Sequence, residues 1–187
     1  MIETLRADLA RYCSPGSRHQ DARWSRRAVA GALLRELGVW AVIEYRLRRW
    51  CKERRGPARL PLAILAAVTQ RLIEMTTGIS IAGGARFGPG LYIGHFGAIT
   101  VGPGVVVGEN CNLSQGVTLG DHGGSPVIGD CVYVAPGAKV FGAIVVGDNV
   151  AIGANAVVNR DVPAGSTAVG VPARIIEGRG NLLDART

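Results

Sequence analysis

The sequence has few histidines, few aromatic residues and no long apolar run. His19, His95 and His122 are the only histidines in 187 residues. Four cysteines, Cys13, Cys51, Cys111 and Cys131, show no CxxC pairing and no metal-type spacing with histidine. That argues against a zinc site and against a disulfide framework, and reads as reduced thiols in a cytoplasmic protein. The longest apolar run, "LPLAILAAV" at 60–68, falls short of the roughly 20 residues a membrane-spanning helix needs. The opening "MIETLRADLARY" is charged and lacks the apolar segment of a signal peptide. No P-loop, dinucleotide fingerprint or metal cluster is present.

Glycine is what the chain has in excess. Its 27 glycines are about twice the usual share of roughly 7%, and most follow residue 78. Charge is also uneven. Residues 1–59 hold 14 Lys and Arg against 6 Asp and Glu, giving +8; the remainder holds 7 against 8, giving −1. A basic half can meet an anionic membrane surface, but such a run ordinarily marks a solvated helical face. The expectation is no nucleic-acid partner, with peripheral membrane contact left as an open reading.

Residues 1–77 read as a basic α-helical region. In "SRRAVAGALLRELGVWAVIEYRLRRWCKERR", Leu33, Leu37, Trp40, Ile43 and Leu47 recur at spacings of 3 and 4. That predicts one amphipathic helix broken at Gly56-Pro57, its apolar stripe either packing on its own coil or joining trimers into hexamers. A second helix is predicted from Leu62 to about Thr76, stopping before Gly78.

After Gly78 the period changes to six. Ile81, Phe87 and Ile93, then Val101, Val107, Leu113 and Leu119, then Ile128, Val134, Val140, Val146, Ile152 and Val158 are each six apart within their runs. A helix cannot keep a six-residue period on one face, because 3.6 does not divide six. A short strand and a tight turn, repeated, does so: this is a hexapeptide β-helix over 78–176, followed by a tail at 177–187. The fold class is therefore α+β. Cys111 falls on an inward position and reads as packing.

The register breaks twice. Two extra residues follow His95 in "YIGHFGAITVG", and three extra sit in "GDHGGSPV", which carries His122. Insertions in a solenoid form loops, often on the binding face. His19 reads as ordinary surface. A histidine at such a break suits general-base chemistry, since its pKa lies near working pH.

These residues resemble the hexapeptide-repeat acyltransferases, and among them the serine O-acetyltransferase family. "EYRLRRW" resembles that family's last N-terminal helix, and "IGHFGAITVG" its catalytic coil; "SQGVTLG", "VYVAPGAKVFGAIVVGDNVAIGANAVV" and "GVPARII" follow in family order. The resemblance implies a left-handed coil, acetyl-CoA as cosubstrate and homotrimers, with hexamers as a further step. It implies His95 as base, and coenzyme A against Ala135, Pro136, Gly153 and Ala154, with Arg174 toward a phosphate and Lys139 and Arg160 as weaker contacts. Where the serine enzymes carry aspartate before the histidine, this chain has Gly94. Where they carry a second aspartate fifteen residues upstream, it has Ser80, so Ser80 Oγ or a backbone carbonyl is expected to fix the His95 tautomer. Ser125 stands at the histidine of their loop motif, and His122 lies three residues earlier. Gly94, His122 and Ser125 are thus the candidate acceptor-binding positions.

The short form also resembles the acetyltransferases of capsule and exopolysaccharide assembly. The expectation is acetyl-CoA-dependent O-acetylation of a sugar or polysaccharide precursor, without an acyl-enzyme. L-Serine is the alternative acceptor, and a non-catalytic docking solenoid the alternative class. The chain ends "DART", not in the isoleucine of serine enzymes that bind cysteine synthase, so no such complex is expected.

Overall fold

The computed structural model describes residues 1–14, 17–54, 56 and 58–180. Pro57 of the predicted helix break and most of the predicted tail lie outside them. Four helices, α1 (Ile2–Cys13), α2 (Arg26–Arg35), α3 (Leu37–Glu53) and α4 (Arg59–Thr77), precede a parallel β-helix. Its strands are β1 (Ile79–Ile81), β2 (Arg86–Phe87), β3 (Tyr92–Ile93), β4 (Ile99–Val101), β5 (Val106–Val107), β6 (Asn112–Leu113), β7 (Thr118–Gly120), β8 (Val127–Ile128), β9 (Tyr133–Val134), β10 (Lys139–Phe141), β11 (Val145–Val146), β12 (Ala151–Ile152), β13 (Val157–Val158), β14 (Thr167–Val169) and β15 (Arg174–Ile176). They stack as three sheets: β1-β4-β7-β10-β13, β2-β5-β8-β11, and β3-β6-β9-β12-β14-β15. Only β15 runs antiparallel, closing the far end against β14.

The pairing register shows where each break lands. Thr100 pairs with Thr118 and Lys139 with Val157, each 18 residues on. Ile79 pairs with Ile99, 20 residues on, and Thr118 with Lys139, 21 on. The two extra residues of the His95 coil and the three of the His122 loop account for the difference. Every hexad position is buried, at 7% exposure or less, so the six-residue period is the core. Burial of the Cys111 thiol pushes its pKa up to about 12, consistent with inert packing.

The first coil has no coil before it, and its outward backbone groups need partners. Side chains of α1 and α3 supply them. Tyr12 Oη donates to Ile93 O (3.3 Å) and accepts from Ile93 N (3.1 Å). Tyr45 Oη does the same for Ala85 O and Phe87 N. Arg46 donates to Phe87 O and Gly88 O, and Arg48 to Ile81 O. Asp8 Oδ1 accepts from the N–H groups of Gly90 and Leu91, both at 2.8 Å, while Arg46 grips its carboxylate from the other side.

This suture corrects three expectations. The predicted single helix is two, because Glu36 is extended (φ −113°, ψ 103°) between α2 and α3. The turn lets α3 meet the coil end-on: a Cβ on Gly38 would lie 2.2 Å from Ile93 O, so only glycine fits there. Of the two roles open to the stripe, packing on the coil is largely not the one it takes within the chain. Leu37, Trp40 and Leu47 are 38%, 43% and 44% exposed, whereas Glu44, Tyr45, Arg46 and Arg48 are buried. The basic run is therefore not simply a solvated face, since Arg11, Arg46 and Arg48 are buried against the coil. His19 is pinned, its Nδ1 2.9 Å from Asn110 Oδ1. The α4 boundary agrees closely with expectation, ending on Gly78 in the left-handed conformation (φ 66°).

Candidate active site

Each coil passes from the third sheet back to the first through a tight corner. His95 stands at the first such corner, on residues 95–98 between β3 and β4. The next three corners stack on it through backbone bonds: Gly116 N to Gly97 O (2.8 Å), Gly137 N to Gln115 O (2.9 Å) and Asn155 N to Pro136 O (2.9 Å). Ala135 and Pro136 lie at the third corner, Gly153 and Ala154 at the fourth. The four small residues expected to meet coenzyme A therefore share one edge of the solenoid with His95. At about 4.8 Å per coil that edge runs about 14 Å from the first corner to the fourth. Lys139 reaches into the same edge, its Nζ 2.5 Å from Gly116 O. Arg174 is exposed on β15 at the far end. Arg160 donates to Ala173 O at 2.6 Å and ties that end down.

The His95 corner is backed from below and kept open above. Tyr12, tilted against Tyr92 at 4.7 Å between centroids, grips Ile93 immediately before Gly94 and His95. A Cβ on Gly94 would lie 3.1 Å from the Tyr92 ring. His95 and Phe96 are exposed. Ala98 closes the corner at φ 52°, where the equivalent corners use Gly116, Gly137 and Asn155. An alanine there costs about 1 kcal/mol or more of strain, which holds the corner in one shape only while its surroundings enforce it.

Ser80, on β1, hydrogen-bonds a carboxylate that the sequence reading did not single out. Its Oγ lies 2.8 Å from Glu74 Oε1. Glu74 also accepts from Gln70 (2.8 Å) and Arg71 (2.9 Å). Burial alone would raise its pKa, but these hydrogen bonds and the Arg71 charge hold it below the usual carboxylate value. A glutamate in the last turn of a helix opposes the helix dipole. That misplacement is the signal sequence reasoning could have used.

His122 and Ser125 lie elsewhere. Their loop bridges β7 and β8, the passage from the first sheet to the second. His122 packs edge-on to Phe141 at 6.2 Å. Ser125 Oγ sits over Gly104, 2.4 Å from where a Cβ would be. One chain thus does not bring His122 and Ser125 to His95; the two breaks open on opposite edges of the first sheet. Among the described residues no group of three His, Cys, Asp or Glu is placed to hold a metal. No helix among them is long and apolar enough to cross a membrane.

No family model matches the chain. Individual relatives do. It is 42% identical over 144 residues to a serine acetyltransferase of Helicobacter pylori (strain J99), covering 74% of this chain and 81% of that protein. It is 38% identical over 152 residues to the serine acetyltransferase of Synechococcus elongatus, covering 79% of this chain but only 60% of the relative's length. A solved serine acetyltransferase in complex with CoA superposes with a TM-score of 0.75 at 30% identity, covering 94% of this chain and 69% of that one. The Neisseria gonorrhoeae serine acetyltransferase in complex with serine gives 0.74 at 32%, covering 94% and 68%. At this identity over four-fifths of such a relative, and with the same overall fold as the solved enzymes, the chain belongs to the serine acetyltransferase family of hexapeptide-repeat acyltransferases.

Proposed function

We propose that the protein transfers the acetyl group of acetyl-CoA to a hydroxyl, with His95 as general base, and that L-serine is the acceptor. The observation that carries the chemistry is the shared edge: one exposed imidazole in line with three further corners of small residues. His95 takes the hydroxyl proton as the oxygen attacks the thioester carbonyl. Backbone N–H groups of the glycine-rich corners suit the oxyanion that forms. The imidazolium then returns the proton to the departing thiolate. The acceptor is inferred from the relatives, whose names specify serine, and one of which was solved with serine.

A sugar or polysaccharide-precursor hydroxyl is the second reading. It is favoured by Gly94, Ser80 and Ser125, uncharged where an amino acid's ammonium and carboxylate need ions. Each lost charge-assisted hydrogen bond costs about 1.5–3 kcal/mol. A trimeric assembly with shared sites would let His122 and Ser125 serve a neighbouring subunit's His95, since within one chain they lie on the opposite edge of the first sheet. The exposed Leu60, Ile64, Leu65, Val68, Leu72 and Met75 of α4 support association as well.

Thiol release from acetyl-CoA, measured with L-serine beside sugars and nucleotide sugars, separates the acceptors by kcat/KM. His95→Ala is expected to fold, to keep a CoA-induced rise in melting temperature and to lose about 10²-fold or more in turnover. Full activity in that variant overturns the assignment.

A further inference from the structure

Away from the His95 edge, α3 and α4 enclose a cavity of about 470 Å³ whose charged wall is all of one sign. Arg48, Lys52 and Arg59 line it, with no Asp or Glu among the lining residues. Its floor is small and apolar, formed by Ala63, Ala66 and Ala67 of α4. The size is that of a small-molecule site.

Arg48 is the anchored member. It is 5% exposed, and only one edge of its guanidinium is engaged: Nε and Nη2 hold Glu44, and Nη2 also donates to Ile81 O. Among the described residues nothing accepts from its Nη1. Lys52 is brought to the same place. A Cβ on Gly83, in the turn between β1 and β2, would meet Lys52 Nζ and lie 3.1 Å from Arg48 Nη1. Neither Lys52 nor Arg59 has a hydrogen bond or ion pair among the described residues. Two cations that converge on one point repel each other unless an anion lies between them. The carboxylates behind the cavity are held elsewhere: Glu44 by Arg48, and Glu74 by Gln70, Arg71 and Ser80. The first turn of α4 adds to the imbalance, since it carries Arg59, no acidic residue and no side-chain cap.

We propose that this α3–α4 cavity binds a phosphate monoester carried on a compact apolar body. One phosphate oxygen accepts from Arg48 Nη1 and another from the Lys52 ammonium, while Arg59 closes the mouth from α4. Glu44 already matches the charge of Arg48, so two cations remain, and a phosphate monoester near neutral pH carries close to two negative charges. A carboxylate leaves one cation over. The apolar body lies on Ala63, Ala66 and Ala67. The bound anion ties α3 and α4 to the Gly83 turn of the first coil, and the site stands whether or not the acetyl-transfer reading does.

The test is titration calorimetry on the full chain at about 0.15 M salt with inorganic phosphate and phenyl phosphate. It is run beside co-sedimentation with phosphatidylcholine vesicles, with and without phosphatidic acid. Phenyl phosphate is expected to bind once per chain, and more tightly than inorganic phosphate, because only it covers the alanines. Lys52→Ala should weaken that binding about tenfold or more, and Arg59→Gln by a smaller factor. Arg71→Gln removes the same charge from the outer face of α4, where Arg71 is 79% exposed, and should leave binding within about twofold. Melting curves confirm that each variant folds. Cys51 also lines the cavity, so saturating phenyl phosphate should slow its alkylation by iodoacetamide and leave that of Cys13 unchanged. Vesicle capture that needs phosphatidic acid and is lost in Lys52→Ala identifies a lipid head group as the source. Soluble binding without such capture identifies a free phosphorylated metabolite. Binding that Lys52→Ala and Arg71→Gln weaken alike is diffuse attraction and overturns the site. So does unaltered Cys51 alkylation under saturating probe, or the lack of saturable binding of any probe up to about 10 mM.

Discussion

The helical region and the β-helix it sits on are held by opposite means. Inside the β-helix, apolar side chains stack coil on coil and backbone groups pair with the next turn. Between the helices and the first coil, Ala41 and Val42 extend the apolar core, but most of the buried contacts are charges and hydroxyls: Asp8, Tyr12, Tyr45, Arg46 and Arg48. A repeat in the middle of a solenoid always has a neighbour to satisfy it; a terminal repeat does not, and must be closed by something atypical. Apolar stacking tolerates a change of volume at modest cost. A buried polar suture does not tolerate the loss of one partner, because the other is left desolvated and unpaired.

The comparison breaks most visibly at Asp8. Asp8→Ala leaves the Arg46 guanidinium buried without its carboxylate and strands the N–H groups of Gly90 and Leu91. The expected cost is about 3–5 kcal/mol in urea unfolding, with the helices detaching first. A loss below about 1 kcal/mol would show that water enters the suture and that it is not a buried network. In the solenoid, Ile152→Val removes one methylene from a fully buried slot and should cost about 0.5–1.5 kcal/mol. If the second variant proves as damaging as the first, the contrast between the two regions is wrong.

Acid sharpens the contrast at the α4 joint. Glu74 has a folded-state pKa below its ordinary 4.5. Its ionised form therefore favours the native state, and that contribution is complete above the unfolded pKa and lost as pH falls through the folded one. The stability gap between wild type and Glu74→Gln should be constant near neutrality and shrink below about pH 4.5. A gap that widens on acidification contradicts the assigned direction.

These differences also explain what could be read in advance. The β-helix was legible through Val158, down to the lengths of both insertions, because nearly every inward position is apolar and each coil repeats the last. The helical region was legible as helix, with its facing left open. Apolar spacing pointed to Leu37, Trp40 and Leu47, which are partly exposed in this chain. The face that docks carries Glu44, Tyr45, Arg46 and Arg48, and no hydrophobic period reports a charge that is buried because its partner is a backbone carbonyl. His95 was singled out through the register break and the family resemblance. Glu74 was not, because it meets Ser80 across a helix stop and a change of period. The acceptor was ranked from missing charges on the coil and from the short form's resemblance to capsule acetyltransferases, sugar ahead of serine, whereas the relatives favour serine.

The smallest expected effect lies at the other end of the solenoid, where the apolar rule lapses once. Ser166 follows Leu91, Cys111, Val132 and Val150 in one inward column, as the successive bonds Tyr92 N to Cys111 O, Asn112 N to Val132 O, Tyr133 N to Val150 O and Ala151 N to Ser166 O show. It is fully buried, and among the described residues its Oγ has no hydrogen-bond partner. A hydroxyl desolvated without compensation is a cost the fold carries. Ser166→Ala removes that cost, at the price of a small loss of packing volume beside β14. The net gain should be about 0.5–1 kcal/mol, read as a melting temperature raised by roughly 1–4 °C. Turnover should be unchanged, since the position is inside the last coil and not on the His95 edge. A lower melting temperature would mean that the hydroxyl is satisfied by a buried water, and that the end coil is closed by a polar contact as the first one is.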